Sequence, residues 1–135
     1  MIFSTCRIAL AATLLVWSQP SDSENLRDDP QAPSGEKIFH EVCQACHMSR
    51  GEGASSPDVH VPALAKNQAL AAAGYPVIVV LNGRGAMPWF DGVLTPAQIA
   101  AVVTYVRTHF GNNFPTPVTE QDVKQLAKAP PTAER

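Results

Sequence analysis

A chain of 135 residues, 45% hydrophobic and 16% charged, is the size of one ordinary domain and leaves no room for a second large core. Ten Lys and Arg against twelve Asp and Glu give a net charge of -2, which supplies no basic field for a phosphate backbone and excludes nucleic-acid binding. Twelve prolines and eight glycines argue against a long coiled coil or an uninterrupted bundle, and three cysteines cannot form a complete disulfide framework.

Residues 1–18 carry one basic residue, Arg7, followed by the apolar run Ile8–Trp17. A bilayer-spanning helix needs roughly 20 apolar residues, so this run has the length of a signal-peptide core and gives no stable membrane span. Export to the periplasm is expected, with cleavage after Ser18 and an uncleaved amphipathic anchor as the alternative. Cys6 precedes the apolar run and leaves with the signal. Losing Arg7 takes Lys plus Arg from 10 to 9 against 12 acidic residues, a mature net of -3. Residues 19–33 are polar, with three prolines, and read as a disordered lead-in. The folded domain is expected over 34–111, followed by a C-terminal extension, 112–135.

Ser34 caps a first helix through Gly35–Val42, with Glu36 in its first turn and Ile38, Phe39 and Val42 as an apolar stripe running into Cys43. Residues 48–62 hold Gly51, Gly53, Ser55, Ser56 and Pro57 and read as loop. Short helices follow over 67–73 and 76–81, the second ended by Asn82 and Gly83. Its run Val77-Ile78-Val79-Val80 suits a strand equally, but no second strand candidate exists to pair with it, so helix is preferred. Thr95-Pro96-Ala97-Gln98 is a capping box with proline at the first helical position. The helix it opens runs through Phe110, with Ile99, Val102, Val103, Val106 and Phe110 at spacings of three and four and Gly111 as its stop. After a linker, Thr119 and Asp122 cap a short helix over 120–128. The expected fold is all-α, built of small helices and long loops.

Cys43-Gln44-Ala45-Cys46-His47 is the c-type haem attachment pattern. Two thiols one helical turn apart add to the two vinyl groups of haem, and the next residue presents its imidazole to the iron. Two other chemistries compete for the same cysteines. A thioredoxin-like dithiol needs a βαβ context, and structural zinc needs further ligands in a recognisable spacing. Neither is visible in the sequence.

For the second axial position of the iron, Met87 stands 40 residues after His47 in Gly83-Arg84-Gly85-Ala86-Met87-Pro88, where glycines let backbone approach a flat macrocycle. Most methionines are core filler, but this one sits in a loop before proline and not on a helical stripe. His60 is the rival ligand, and an open site the other alternative.

On these residues the chain resembles the class I c-type cytochromes over roughly 34–111, which implies a cytochrome c-like fold wrapped around one covalent haem c. Gly35 and Phe39 match the Gly-x-x-x-aromatic pair by which the family's first helix crosses its last, and Val102 and Tyr105 match the partners on the last helix. Pro62-Ala63-Leu64 resembles the family's Pro-x-Leu, in which the proline carbonyl accepts a hydrogen bond from the ring N–H of the iron-ligating histidine, here His47. The stretch Tyr105–Asn113, with Pro115, Pro117-Val118-Thr119 and Asp122-Val123, is similar to the last haem domain of cytochrome subunits of periplasmic alcohol and sugar-acid dehydrogenases. Those subunits usually carry three haem domains. This chain carries one attachment motif, which favours a single-haem partner or a soluble shuttle.

The resemblance implies an electron-transfer protein and not an enzyme. Cys43 and Cys46 hold the haem, His47 and Met87 ligate the iron, and Pro62 orients His47. A periplasmic dehydrogenase is the expected electron donor, and a downstream cytochrome or oxidase the acceptor. Ala54, Val59, Ala86, Trp89 and Phe90 are expected to rim the haem edge, although Trp89 and Phe90 equally suit a plug beneath the Met87 loop. The alternative function is a haem protein with an open axial site, acting as a peroxidase-like enzyme or a ligand sensor.

Overall fold

The computed structural model describes residues 33–128. The expected signal segment, all of the polar lead-in except Pro33, and residues 129–135 lie outside the described residues.

The first helical stretch is continuous but changes pitch. It runs as α1 (Gly35–Ile38), a π-helical turn (Phe39–Cys43) and α2 (Gln44–His47). Ser34 caps it, its hydroxyl accepting from the Lys37 amide. In the π turn the Gln44 N–H reaches back to the Phe39 carbonyl, and the wide turn rotates the residues that follow. Ile38 and Phe39 are thereby buried on one side, while Cys43 and Cys46 keep access to solvent. The loop after His47 holds a two-stranded antiparallel ribbon, β1 (Ala54–Ser55) and β2 (His60–Val61), in the register Ala54 to Val61 and Ser55 to His60. Sequence reading assigns this stretch to loop. The strands are two residues each, too short to show an alternating pattern.

A 3-10 turn (Gln68–Ala71) capped by the Asn67 side chain leads into α3 (Gly74–Asn82), so the ambiguous valine-rich run is helical. The longest helix, α4 (Pro96–Thr108), carries the full capping box, with the Thr95 hydroxyl accepting from Gln98 N–H and the Gln98 carboxamide accepting from Thr95 N–H. It is the centre of the molecule. Ile99, Ala100 and Val103 pack with Val77 and Leu81 of α3 and with Val118 and Val123. Val102 and Val106 pack with Ile38 and Phe39. The crossing of α1 over α4 requires glycine, because a Cβ at Gly35 would collide with the Ala101 carbonyl and the Tyr105 side chain.

The segment from Asn112 onward, expected as an extension, forms α5 (Glu120–Ala127) under a second capping box, and Val123 is fully buried against α3 and α4. Arg107 explains how it is fastened. This guanidinium is only 3% exposed, and it donates to the carbonyls of Leu70, Ala71 and Thr116, joining the 3-10 turn and the C-terminal segment to α4. Five N–H donors in a fixed fork let one side chain reach three carbonyls in two backbone segments.

Candidate functional site

The two cysteines and the histidine lie on one helical face because the motif spans a single turn. Cys43 is half-buried and Cys46 exposed, with no disulfide between them. Burial, and then the neighbouring Cys46, push the Cys43 thiol up to about 11, so at neutral pH it is a protonated thiol and not the thiolate that a dithiol redox centre uses. Among the described residues no three His, Cys, Asp or Glu side chains come together as a metal site, which leaves a zinc centre on these thiols without ligands. The fold around them is helical with one small ribbon and offers no βαβ unit among the described residues.

His47 is 8% exposed, and its Nδ1 lies 3.1 Å from the Pro62 carbonyl. Burial pulls the imidazole below its ordinary pKa, against the smaller opposing pull of that hydrogen bond, so the ring is neutral at pH 7. A neutral ring that donates from Nδ1 keeps a lone pair on Nε2, and among the described residues Nε2 has no hydrogen-bond partner. The loop that supplies the acceptor is fixed by backbone bonds. Gly53 N–H donates to the His47 carbonyl at 3.0 Å, and Leu64 and Ala65 N–H donate to the Gly51 carbonyl at 2.7 and 2.9 Å. Gly53 has φ +70°, and a Cβ there would strike the Val61 carbonyl and Pro62, so the two arms of the loop meet only over glycine. Met48, directly after His47, has φ 62° and ψ 163°, a conformation that is nearly exclusive to glycine and costs about 1–3 kcal/mol for other residues.

Met87 sits in a tight hairpin between α3 and α4. Its N–H and carbonyl exchange hydrogen bonds with Arg84, both 3.0 Å, and Arg84 Nη1 donates to the Tyr75 hydroxyl at 3.0 Å. The Met87 side chain is half-buried. His60, the rival ligand, is exposed on β2. Of the expected rim, Ala54, Val59 and Ala86 are exposed and Phe90 half-buried. Trp89 is 67% exposed, so it is not a plug beneath the loop, and Val93, four residues on, is equally exposed.

These residues fit a covalent haem. Two thiols stand one turn apart, the first half-buried at the core edge and the second open to solvent. A buried imidazole is fixed through Nδ1, with Nε2 left unengaged among the described residues. Ile78 and Val79 of α3 are only half-buried and form a flank outside the core that Val77, Val80 and Leu81 join, on a helix apolar around most of its circumference, where such helices are ordinarily covered. A flat apolar macrocycle is the kind of group that covers such a flank. The fold and the site together are those of a helical domain that carries one haem on a CxxCH helix.

The family model described as cytochrome C oxidase, cbb3-type, subunit III, matches residues 30–106. Cytochrome c6 of Synechococcus sp. (strain ATCC 27167 / PCC 6312) is 31% identical over 103 residues, covering 76% of this chain and 87% of that protein. Cytochrome c6 of Leptolyngbya boryana is 38% identical over 80 residues, covering 56% of this chain and 88% of that one. The cbb3-type cytochrome c oxidase subunit FixP of Bradyrhizobium sp. (strain ORS 278) is 35% identical over 85 residues, which are 61% of this chain and 29% of FixP. The chain belongs to the class I c-type cytochromes. It is an electron carrier with a covalently bound haem c. Among the described residues no helix is long and apolar enough to cross a membrane.

Two contributors escaped sequence reading. Arg107 and Asn112 are both buried, at 3% and 7%, and join distant backbone segments through side-chain hydrogen bonds. Charged and polar residues at a helix end read as solvated surface, and nothing in their spacing announces burial.

Proposed function

We propose that the chain is a single-haem shuttle or subunit that takes electrons from an exported dehydrogenase and passes them to a downstream cytochrome or oxidase. In this reading Cys43 and Cys46 would hold the haem as thioethers, and His47 and Met87 would ligate its iron. The haem supplies a one-electron Fe(III)/Fe(II) couple. His47 donates its Nδ1 proton to Pro62, which fixes the ring plane and makes Nε2 a stronger donor. The Arg84–Met87 hairpin holds a thioether at a set point of the chain, and soft sulfur favours the reduced iron and raises the potential. If His47 and Met87 both ligated the iron, no position would be left open for a small ligand, which is the outcome that would separate electron transfer from the peroxidase-like and sensor alternatives.

The observation that carries the reading is the buried His47 ring, oriented through Nδ1 by the Pro62 carbonyl at the end of the two-cysteine helix. Export through residues 1–18 is supported by their single basic residue and short apolar run, and places haem attachment and donor outside the cytoplasm. The haem-binding part is proposed to span 34–111, with 112–135 as the segment fastened onto it through Val118 and α5. Docking is proposed over the exposed apolar side chains Val59, Trp89 and Val93, with Asp58 and Asp91 exposed next to them in the chain.

The test is reduction of the oxidised holo-protein by purified periplasmic alcohol and sugar-acid dehydrogenases, followed by stopped flow at low and high ionic strength. A productive donor should reduce it at about 10⁵–10⁷ M⁻¹s⁻¹. An apolar docking surface predicts little change with salt, so a steep fall would contradict it. Reduction by none of these enzymes would remove the dehydrogenase from the proposal.

A further inference from the structure

The carboxamide of Asn112 makes three hydrogen bonds in a protein interior. Nδ2 donates one hydrogen to the Leu64 carbonyl and the other to the Val106 carbonyl, both at 2.8 Å, while Oδ1 accepts from the Asn67 N–H at 2.9 Å. Two carbonyls and one N–H face the group, so a single orientation satisfies all three. Aspartate has the same shape but lacks both donors, and an apolar residue would leave three backbone groups unpaired.

Phe110 and Gly111, with φ 59° and 79°, form a left-handed pair that turns the chain after α4 and brings Asn112 back beneath the loop. Lys66 N–H donates to the Phe110 carbonyl at 3.1 Å and adds to the same junction. Asn112 therefore fastens residues 64 and 67 to the end of α4. Pro62 lies two residues before Leu64. Its carbonyl accepts the hydrogen bond from His47 Nδ1–H, and the Leu64 N–H donates to the Gly51 carbonyl.

We propose that Asn112 is a positioning residue for the haem: it holds the 62–67 loop at the height that sets the His47–Pro62 hydrogen bond, and through that bond the reduction potential. The inference rests on His47 being the iron ligand, as proposed above. A firm Nδ1–H bond makes the imidazole a richer donor and favours the oxidised iron. Loosening the loop weakens the bond, so the potential should rise.

The test uses the holo-proteins of the native chain, Asn112→Ala and, as a control, Asn113→Ala, whose exposed side chain takes no part in the clamp. Two readouts are taken: the midpoint potential, and the exchange rate of the His47 Nδ1 proton in the reduced state by NMR. In Asn112→Ala the low-spin spectrum should persist, the potential should rise, and the ring proton should exchange about five- to tenfold faster, the effect of one weakened hydrogen bond. Asn113→Ala should match the native protein in both. Asn112→Ser keeps one donor and one acceptor and should move both readouts the same way by less, which covers the case in which the alanine variant does not fold. A native protein without the low-spin spectrum overturns the ligand reading and this inference with it. A low-spin native protein in which neither readout moves on substitution overturns this inference alone. Failure of both variants to yield folded holo-protein assigns Asn112 to folding and also overturns it.

Discussion

Gly35→Ala tests the helix crossing on which the fold turns. The new Cβ would stand 2.6 Å from the Ala101 carbonyl carbon and 2.9 Å from Tyr105 Cβ. Non-bonded carbons rest at about 3.5–4.0 Å, so α1 and α4 must part by about 1 Å. A gap of that size forfeits roughly a quarter to a half of each dispersion contact across it. Ile38, Phe39, Val102 and Val106 all lie in this seam, and each is buried. Overpacking of this kind costs about 2–3 kcal/mol, against which replacing glycine in a helix returns at most about 0.5–1 kcal/mol. The net is about 2 kcal/mol. With a guanidinium slope of about 4 kcal/mol/M, the unfolding midpoint of the holo-protein should fall by about 0.5 M with the slope unchanged. Equilibrium unfolding followed by circular dichroism reads this directly. A midpoint that is unchanged or raised would show that the first and last helices do not meet over Gly35.

Met48→Gly should stabilise the holo-protein by about 0.5–1 kcal/mol, because glycine relieves the φ 62°, ψ 163° backbone while the side chain lost is partly exposed; a thermal melt lowered by the change would refute the strain. Asp122 accepts hydrogen bonds from the Thr119 hydroxyl and N–H, at 2.7 and 2.8 Å, and these hold its carboxyl below its ordinary pKa. A depressed pKa adds stability above the unfolded value, near 3.9, and loses it as pH falls through the lower folded value. Asp122→Asn should therefore be less stable than the native protein at pH 7, with the difference shrinking below about pH 4 in melts across that range. A difference that stays constant with pH would contradict the cap.

How much of this was legible depended on periodicity and local chemistry. The α4 capping box and the CxxCH turn are written in neighbouring residues and lie where the sequence places them, but α4 ends at Thr108, two residues short of the expected Phe110, which leaves the helix with φ 59°. The C-terminal helix was legible from its Thr119–Asp122 cap, but its burial was not. Val118 and Val123 join the core through Arg107 and through packing on α3, contacts between residues far apart in the chain. The ribbon at 54–61 has no pattern long enough to read. The π turn likewise shows only as one residue more than an α-helix needs between Phe39 and Gln44. For the site, the identity of His47 and its Pro62 partner followed from spacing and family likeness. The supporting bonds from Asn112, Gly51 and Gly53 depend on loop closure, which spacing does not encode.

His/Met ligation is tested most directly by the near-infrared spectrum of the oxidised holo-protein. A weak sulfur-to-iron charge-transfer band should be present in the native protein and absent in Met87→Leu, whose potential should also fall as the soft ligand is lost. A high-spin native spectrum, or a band that survives Met87→Leu, would contradict Met87 as the second axial ligand and, with it, the closed electron-transfer site.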